Sequence, residues 1–204
     1  MLTGMREPAV IRRAHLADMP ALAAMLTRAF LDDPVASWAF QPDRLRPDAL
    51  RRFQATRIRQ LLGGDEVWTT EDLSCAALWT PPGLPHRPIS EAAELLGCFR
   101  HPLLLARLPL VATGWRRTEL AHPRKPHWYL AVLGTDPPAQ GHGLGSAVLA
   151  PALEQCDRDG VGAYLESSKE RNIDFYARHG FRVLRELKLT HGPLVWPMWR
   201  EPRS

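Results

Sequence analysis

Cysteine is scarce in this chain, and Cys75, Cys98 and Cys156 are widely separated. No Cys-x-x-Cys pair occurs, which disfavours a disulfide framework and a zinc site. Long hydrophobic runs are also missing, because the most apolar stretch, 102–111, is interrupted by an arginine and a proline. It is much shorter than the roughly 20 residues of a membrane span. Residues 1–12 lack a signal-peptide pattern. Taken together, these three absences lead us to expect a cytoplasmic protein with no bound metal and no membrane contact.

Concentrated positive charge is absent as well. The 204 residues include 26 Lys and Arg against 22 Asp and Glu, a net charge of +4, and the arginines are scattered. Proteins that bind nucleic acid usually concentrate basic residues on one face or in one run. We therefore expect no nucleic-acid partner. Hydrophobic residues make up 45% and charged residues 24% of the chain, which is typical of a soluble globular protein, and the length predicts a single domain over 1–204.

The most informative stretch is rich in glycine and follows an apolar run at 128–133. Gly141, Gly143 and Gly145 alternate with other residues directly before a helical pattern at 144–156. A helix N-terminus attracts anions, because its first N–H groups are unpaired and carry partial positive charge. Glycines let a phosphate approach these groups, since they have no Cβ atom. The pattern predicts a phosphate site, although such glycines also occur in an ordinary turn before a surface helix.

Two nucleotide-binding motifs are disfavoured by the same residues. A dinucleotide-binding loop has the spacing Gly-x-Gly-x-x-Gly, whereas the spacing here is Gly-x-Gly-x-Gly, with Ser146 at the sixth position. A Walker A loop ends in Gly-Lys-Ser or Gly-Lys-Thr, and no lysine lies between Lys125 and Lys169. A dinucleotide-dependent oxidoreductase therefore remains only as a less favoured alternative.

The loop 140–145, Gln-Gly-His-Gly-Leu-Gly, resembles the acetyl-CoA motif of the GCN5-related N-acetyltransferase (GNAT) superfamily, Gln/Arg-x-x-Gly-x-Gly/Ala. The resemblance runs from about residue 127 to the end of the chain and includes Asn172 and Tyr176. Within the superfamily, the runs 143–147 and 164–168 are similar to the puromycin N-acetyltransferase group of bacterial members. The match is looser in the N-terminal part.

The resemblance implies an α/β (α+β) protein with the GNAT fold, a mixed and mostly antiparallel sheet splayed at its central strand, with helices on both faces. It implies acetyl-CoA as co-substrate and a primary amine of a small molecule, such as an aminonucleoside or another antibiotic, as acceptor. Transfer would occur directly in a ternary complex, in a monomer or a homodimer. Residues 127–181 would form the acetyl-CoA-binding core, and 81–126 a helical insertion on the acceptor side. A non-catalytic acetyl-CoA-binding module is the alternative.

The resemblance also assigns residues to acetyl-CoA. The central strand would pair with the pantetheine arm, and the N–H of Leu133 would stabilise the oxyanion that forms during transfer. His142 stands where the family often has Arg or Lys, so its phosphate contact is expected to depend on pH. The implied cofactor-binding residues are Leu133, Gly134, Thr135, Gln140, Gly141, His142, Gly143, Leu144, Gly145, Ser146, Asn172 and Tyr176.

Two residues are candidates for catalysis. Tyr176 lies four residues after Asn172, so the two share one face of a helix, and its phenol would protonate the leaving thiolate. The other interpretation is a core aromatic residue. Glu166 ends the strand after the glycine-loop helix and is the candidate base for the acceptor amine. A ribose-binding acid and a structural or substrate-ammonium contact are the alternatives for Glu166.

Four residues are candidates for contact with the acceptor. In the family, loops near the first two helices cover the acceptor pocket, which implicates Asp33, Trp38 and Phe40. Trp79, directly before a Pro-Pro-Gly break, is the fourth candidate. Alternatively, the aromatic residues are part of the core and Asp33 caps a helix. Apolar spacing predicts helices at about 19–31, 48–62, 90–100 and 103–117 and strands at about 9–12, 66–70, 74–80, 127–135, 161–167, 181–189 and 194–200.

Overall fold

The computed structural model describes residues 9–64, 66–83 and 96–203. Within these ranges the mixed, mostly antiparallel sheet and its flanking helices confirm the predicted fold class. The described strands are β1 (Ile11–Arg13), β2 (Val67–Thr70), β3 (Cys75–Thr80), β4 (Trp128–Thr135), β5 (Ala163–Ser167), β6 (Arg182–Val183), β7 (Leu187–Lys188) and β8 (Leu194–Arg200).

Most of the helices follow the sequence pattern, but the helix at 34–39 was not predicted from it. Those described are α1 (Met19–Ala29), α2 (Pro34–Ala39), α3 (Arg46–Leu62), α4 (Pro102–Leu105), α5 (Leu108–Glu119), α6 (Leu144–Asp159) and α7 (Ile173–Arg178). The helix predicted at 103–117 is divided into two, because Pro109 cannot donate a backbone hydrogen bond and instead stands in the first turn of α5. Of the helix predicted at 90–100, residues 90–95 lie outside the described ranges. No helix in those ranges combines the length and the apolar character that a membrane span needs.

The strand order is β1-β2-β3-β4-β5-β8-β6, and β7 pairs with β8 beside this path. Within the described sheet, β4 and β5 are the one parallel pair of neighbours. Their register contains Trp128↔Ala163 and Tyr129↔Tyr164 and then ends, although β4 continues for six more residues, to Thr135. The two strands therefore separate and leave a wedge-shaped gap, as expected for a splayed sheet.

A β-bulge lies in β4 where the gap begins. Leu78 pairs with Val132, but the next residue of β3, Trp79, pairs with Leu130. Ala131 is the extra residue, and a bulge of this kind increases the local twist of the strand. The bulge therefore changes the direction of the second half of β4 at the point where it leaves β5.

The two faces of the sheet carry different helices. On one face, Val148, Leu149 and Ala152 of α6 pack in a core cluster with Leu130 of β4 and Leu165 of β5. On the other face, α1 and α3 supply a second cluster that includes Leu22, Leu26, Ile58 and, from the sheet, Leu78 and Val132. Burial of each such side chain contributes about 1.5–3 kcal/mol to stability, so both layers hold the splayed strands in place.

An ion pair between a buried arginine and a partly exposed aspartate joins the end of α6 to the last strand. The guanidinium of Arg200, a residue only 2% exposed, donates two hydrogen bonds of 2.7 Å to the carboxylate of Asp157. The backbone N–H of Arg203 donates a third, also of 2.7 Å. These hydrogen bonds, chiefly those from Arg200, lower the pKa of Asp157 below its usual range. The pair therefore fixes α6 against β8.

Candidate functional site

A cavity of about 450 Å³ lies in the gap between β4 and β5. Its walls come from both strands, from the loop that leads into α6, from α7 and its preceding turn, and from the segment between α1 and α2. Most of the predicted site residues meet here. Those that line the cavity are Asp33, Leu133, Gly134, Thr135, Gln140, Gly141, Gly143, Leu144, Gly145, Ser146, Glu166, Asn172 and Tyr176.

The glycine loop is shaped by backbone conformations that disfavour other residues. Gly141 and Gly143 have φ angles of 80° and 78°, and no atom lies within 4 Å of the place where either would carry a Cβ atom. Gly143 is also the N-cap of α6, and its carbonyl accepts the first helical hydrogen bond, from Ala147 at 3.1 Å. The N–H groups before Ala147 have no acceptor within the helix. This end of α6 therefore offers donors to an anion.

Side chains hold the loop in position. The amide of Gln140 donates to the carbonyl of Thr135 at 3.1 Å and so ties the loop to the end of β4. At the start of α6, the hydroxyl oxygen of Ser146 lies 2.9 Å from Nε2 of His179. Burial lowers the pKa of His179 below its usual value, which favours the neutral imidazole.

Two arginines on the cavity wall were not predicted. Arg171 and Arg178 line the cavity on the side of α7, and the Arg178 guanidinium lies 5.9 Å from the centre of the Phe175 ring. Both are close in sequence to predicted residues, Asn172 and Tyr176, but spacing alone does not show which way their side chains point. They add positive charge beside the loop that offers N–H donors.

Tyr176 lies in an apolar environment at the cavity. It is 8% exposed and packs edge-on against Phe175 and Phe181, with ring centres 5.1 and 6.0 Å away. Burial raises the pKa of Tyr176 above its usual range, and the negative charge of Asp33 raises it further. The phenol therefore keeps its proton at neutral pH and can act as a hydrogen-bond donor.

Glu166 borders the cavity and receives contacts on both carboxylate oxygens. The Tyr129 hydroxyl donates to Oε2 at 2.9 Å, and Nε2 of His122 lies 3.0 Å from Oε1. Neither Tyr129 nor His122 was identified from the sequence. His122 comes from the segment before β4, where no motif marked it, and Tyr129 reads as one residue of an apolar strand.

Asp33 does act as a helix cap, as one interpretation of the sequence had it. Its Oδ1 accepts hydrogen bonds from the backbone N–H groups of Val35 and Ala36 at 2.9 and 3.1 Å, at the start of α2. Its Oδ2 accepts a hydrogen bond from the Ser168 hydroxyl. The side chain nevertheless also borders the cavity, so the cap is part of the cavity wall.

Two candidates for acceptor contact lie in the core instead of on the cavity wall. Trp79 is completely buried in the cluster beneath α6. Phe40 is 4% exposed and packs against Phe99, with ring centres 5.4 Å apart. Large aromatic side chains gain the most from leaving water, and this gain explains both placements.

Trp38 and His142 also lie away from this cavity. Trp38 is 6% exposed, packs against Gly114 of α5, and borders a separate, open cavity with Arg46 and His191. The His142 side chain is exposed and outside the cavity lining, with Nδ1 3.2 Å from the carbonyl oxygen of Ala139. Among the residues that the structure describes, no group of three or more His, Cys, Asp or Glu is placed to hold a metal ion.

Comparisons with known proteins agree with this architecture. A sequence model of the acetyltransferase (GNAT) family matches residues 66–181. An uncharacterized N-acetyltransferase of Schizosaccharomyces pombe is 25% identical over an alignment of 213 positions, which covers 95% of this chain and 83% of that protein.

Solved structures give the same result. A histone acetyltransferase HPA2 and related acetyltransferase from Corynebacterium glutamicum is 25% identical, with a TM-score of 0.70 over 96% of this chain and 97% of that one. A polyamine N-acetyltransferase of Drosophila melanogaster has the same fold, with a TM-score of 0.62 and 14% identity over 95% of this chain and 100% of that one.

Proposed function

This chain belongs to the acetyltransferase (GNAT) family, and we propose that it transfers the acetyl group of acetyl-CoA to a primary amine of a small molecule. The observation that carries this proposal is the cavity between the splayed strands. One wall offers backbone donors for an anion, while Tyr176 and Glu166 supply a proton donor and a carboxylate. These are the groups that a direct acyl transfer to an amine needs.

The residues present fit acetyl-CoA. Its phosphates would bind at the N-terminus of α6, where glycines leave the amides accessible, with Arg171 and Arg178 as counter-charges. The pantetheine arm would lie along β4 beyond residue 129, where the parallel pairing with β5 has ended. Asn172, on the cavity wall, would hold the same arm.

The chain's own groups account for the proton transfers. Glu166 accepts a proton from the acceptor ammonium, so that the amine nitrogen can attack the thioester carbonyl carbon. The N–H of Leu133 stabilises the oxyanion, an effect of about 3 kcal/mol in other acyl-transfer enzymes. As the carbon–sulfur bond breaks, the attacking nitrogen releases its second proton to solvent and Tyr176 gives its proton to the sulfur, after which solvent restores the phenol.

The acceptor side of the cavity favours a cationic amine. Asp33 and Glu166 are acidic residues of its lining, and a nearby cation, Lys169, is paired with Asp32 at 2.9 Å. The similarity of 164–168 to the puromycin N-acetyltransferase group makes an aminonucleoside the first acceptor to test. In this proposal 81–126 is the acceptor-side insertion of one domain that spans 1–204, acting as a monomer or a homodimer.

A thermal-shift series with acetyl-CoA, CoA, NADH, NADPH and ATP tests the cofactor. A ligand at 100 times its Kd adds about 2.7 kcal/mol of stability, which we expect to raise the Tm by roughly 5–10 °C with acetyl-CoA. Thiol release is then measured with puromycin, an aminoglycoside, a polyamine and a peptide.

Each outcome of that series separates the proposal from an alternative. A shift with NADH or NADPH alone would contradict the proposal and favour an oxidoreductase, with Glu166 as a ribose ligand. A shift with acetyl-CoA but no thiol release from any amine would instead indicate a non-catalytic binding module.

A further inference from the structure

A buried polar cluster lies on the side of Glu166 away from the cavity. Glu166 and Tyr164 alternate along β5 with Leu165, which packs beneath α6, so their side chains point to the opposite face of the sheet. There they meet His122, His127 and Tyr129. From this arrangement we infer that His122 is a positioning residue for Glu166, and that its Nε2–H group keeps the carboxylate ionised and oriented to accept the amine proton.

The geometry of His122 supports this role. Its side chain is 5% exposed, and that of Glu166 is 11% exposed, so little water competes for their contact of 3.0 Å. Rings on two sides confine the imidazole, with centres 4.7 Å away at Tyr129 and 4.6 Å away at Tyr164. The ring is therefore confined, with Nε2 beside Oε1 of Glu166.

The contact with Glu166 requires a proton on Nε2 of His122. An ionised carboxylate only accepts hydrogen bonds, so the ring nitrogen must donate, whether the imidazole is neutral or charged. Burial disfavours a carboxylate charge, while each donated hydrogen bond favours it. Tyr129 donates a hydrogen bond to the other oxygen, so both carboxylate oxygens contact polar groups, and Glu166 also borders the cavity.

The other titratable groups around Glu166 do not replace this donor. Burial lowers the pKa of His127, which favours its neutral form, and Nδ1 of that ring is 2.8 Å from the Lys125 carbonyl oxygen. Burial raises the pKa of Tyr164 well above its usual range, with Glu166 and Tyr129 adding to the effect and Arg185 opposing it. Burial thus favours the neutral form of both groups, whereas His122 is in direct contact with the carboxylate.

This inference rests on the proposed function, and three substitutions test it. His122→Phe keeps a ring but removes the donor. His122→Gln can place an amide N–H near the position of Nε2, whereas the shorter His122→Asn cannot reach it and serves as the matched polar control. The pKa of Glu166 is followed by ¹³C carboxyl NMR, assigned with Glu166→Gln, alongside the pH profile of kcat/KM.

We expect the pKa of Glu166 to rise by about one unit in the Phe and Asn variants, because a donor to the ionised form is lost. The acidic limb of kcat/KM should move to higher pH by the same amount, and the Gln variant should restore it. An unchanged pKa of Glu166 in both Phe and Asn variants would overturn the role of His122. Because NMR needs no acceptor, this result is distinct from absent thiol release in the wild type, which would overturn the proposed function.

Discussion

At the scale of single residues, the surroundings of Tyr176 keep its hydroxyl protonated. Two aromatic rings exclude water from the phenol, and Asp33 adds a negative charge nearby. Both effects oppose the phenolate. In the proposed reaction this hydroxyl would be the proton donor to the leaving thiolate.

Replacement of Tyr176 by Phe removes the proton donor while it keeps the ring. We expect kcat to fall by about 100-fold or more, the usual contribution of a general acid. The Tm increase with acetyl-CoA should stay near that of the wild type, because the hydroxyl is not needed for binding. Steady-state kinetics and thermal shift measure the two quantities, and an unchanged kcat would rule out the acid role.

Sequence patterns identify aromatic residues but not which of them line a cavity. Trp79 and Phe40 were predicted to contact the acceptor, yet both are in the core. An aromatic residue beside a proline break or after a helix can lie either in the core or on a pocket wall, since both environments favour burial of large apolar side chains. Asp33 shows the converse, because it caps α2 and borders the cavity at once.

At the scale of elements, α6 offers a controlled comparison between its two ends. Gly143 begins the helix with a φ angle of 78°, and Gly160 ends it with a φ angle of 64°. No atom lies within 4 Å of a Cβ atom added at either position. Alanine should therefore cost a similar amount of backbone strain, about 1–2 kcal/mol, at both ends.

Gly143→Ala and Gly160→Ala should differ in acetyl-CoA binding alone. A Cβ atom at 143 would face the phosphate site, whereas one at 160 is at the opposite end of a 16-residue helix. We expect similar losses in the free energy of unfolding, and at least tenfold weaker acetyl-CoA binding for Gly143→Ala only. Denaturant unfolding and calorimetric titration measure these effects. Equal affinity for both variants would place the phosphates elsewhere.

The elements that the sequence predicted well are those specified locally. The glycine loop, α6 and its Gly160 cap follow from neighbours in the chain, so the pattern of residues was sufficient. The contact of His122 with Glu166 joins residues 44 positions apart in the sequence. No local sequence pattern predicts a contact over that separation. The family resemblance implies a bulge in the central strand, but its position at Ala131 has no local sequence signal, because it is defined by register with Leu78 and Trp79.

At the scale of the whole molecule, the Asp157–Arg200 pair links the helix of the proposed phosphate site to the last strand. Asp157→Asn leaves a buried guanidinium without its counter-charge, so we expect a loss of about 3–5 kcal/mol in the free energy of unfolding. Asp159→Asn, an exposed change two residues further along, should cost under about 0.5 kcal/mol. Equal losses in the two variants, measured by urea unfolding, would contradict this role.

The same pair predicts how stability depends on pH. The pKa of Asp157 is lower in the folded than in the unfolded protein, so its contribution is fully present above about pH 4, the usual aspartate pKa. It is lost as the pH falls through the folded pKa. The difference in unfolding free energy between wild type and Asp157→Asn should therefore shrink below about pH 4. A constant difference down to pH 2 would contradict this assignment.

The position of β8 has a consequence for biosynthesis. This strand follows β5 and β6 in the chain but lies between them in the sheet. Until residues 194–200 have been synthesised, β6 has no described strand to pair with, and β5 has only its short contact with β4. The ribosome must therefore release the chain through residue 200 before the sheet can close. A nascent polypeptide stalled before residue 194 would expose unpaired strand edges, which makes it a natural substrate for chaperones.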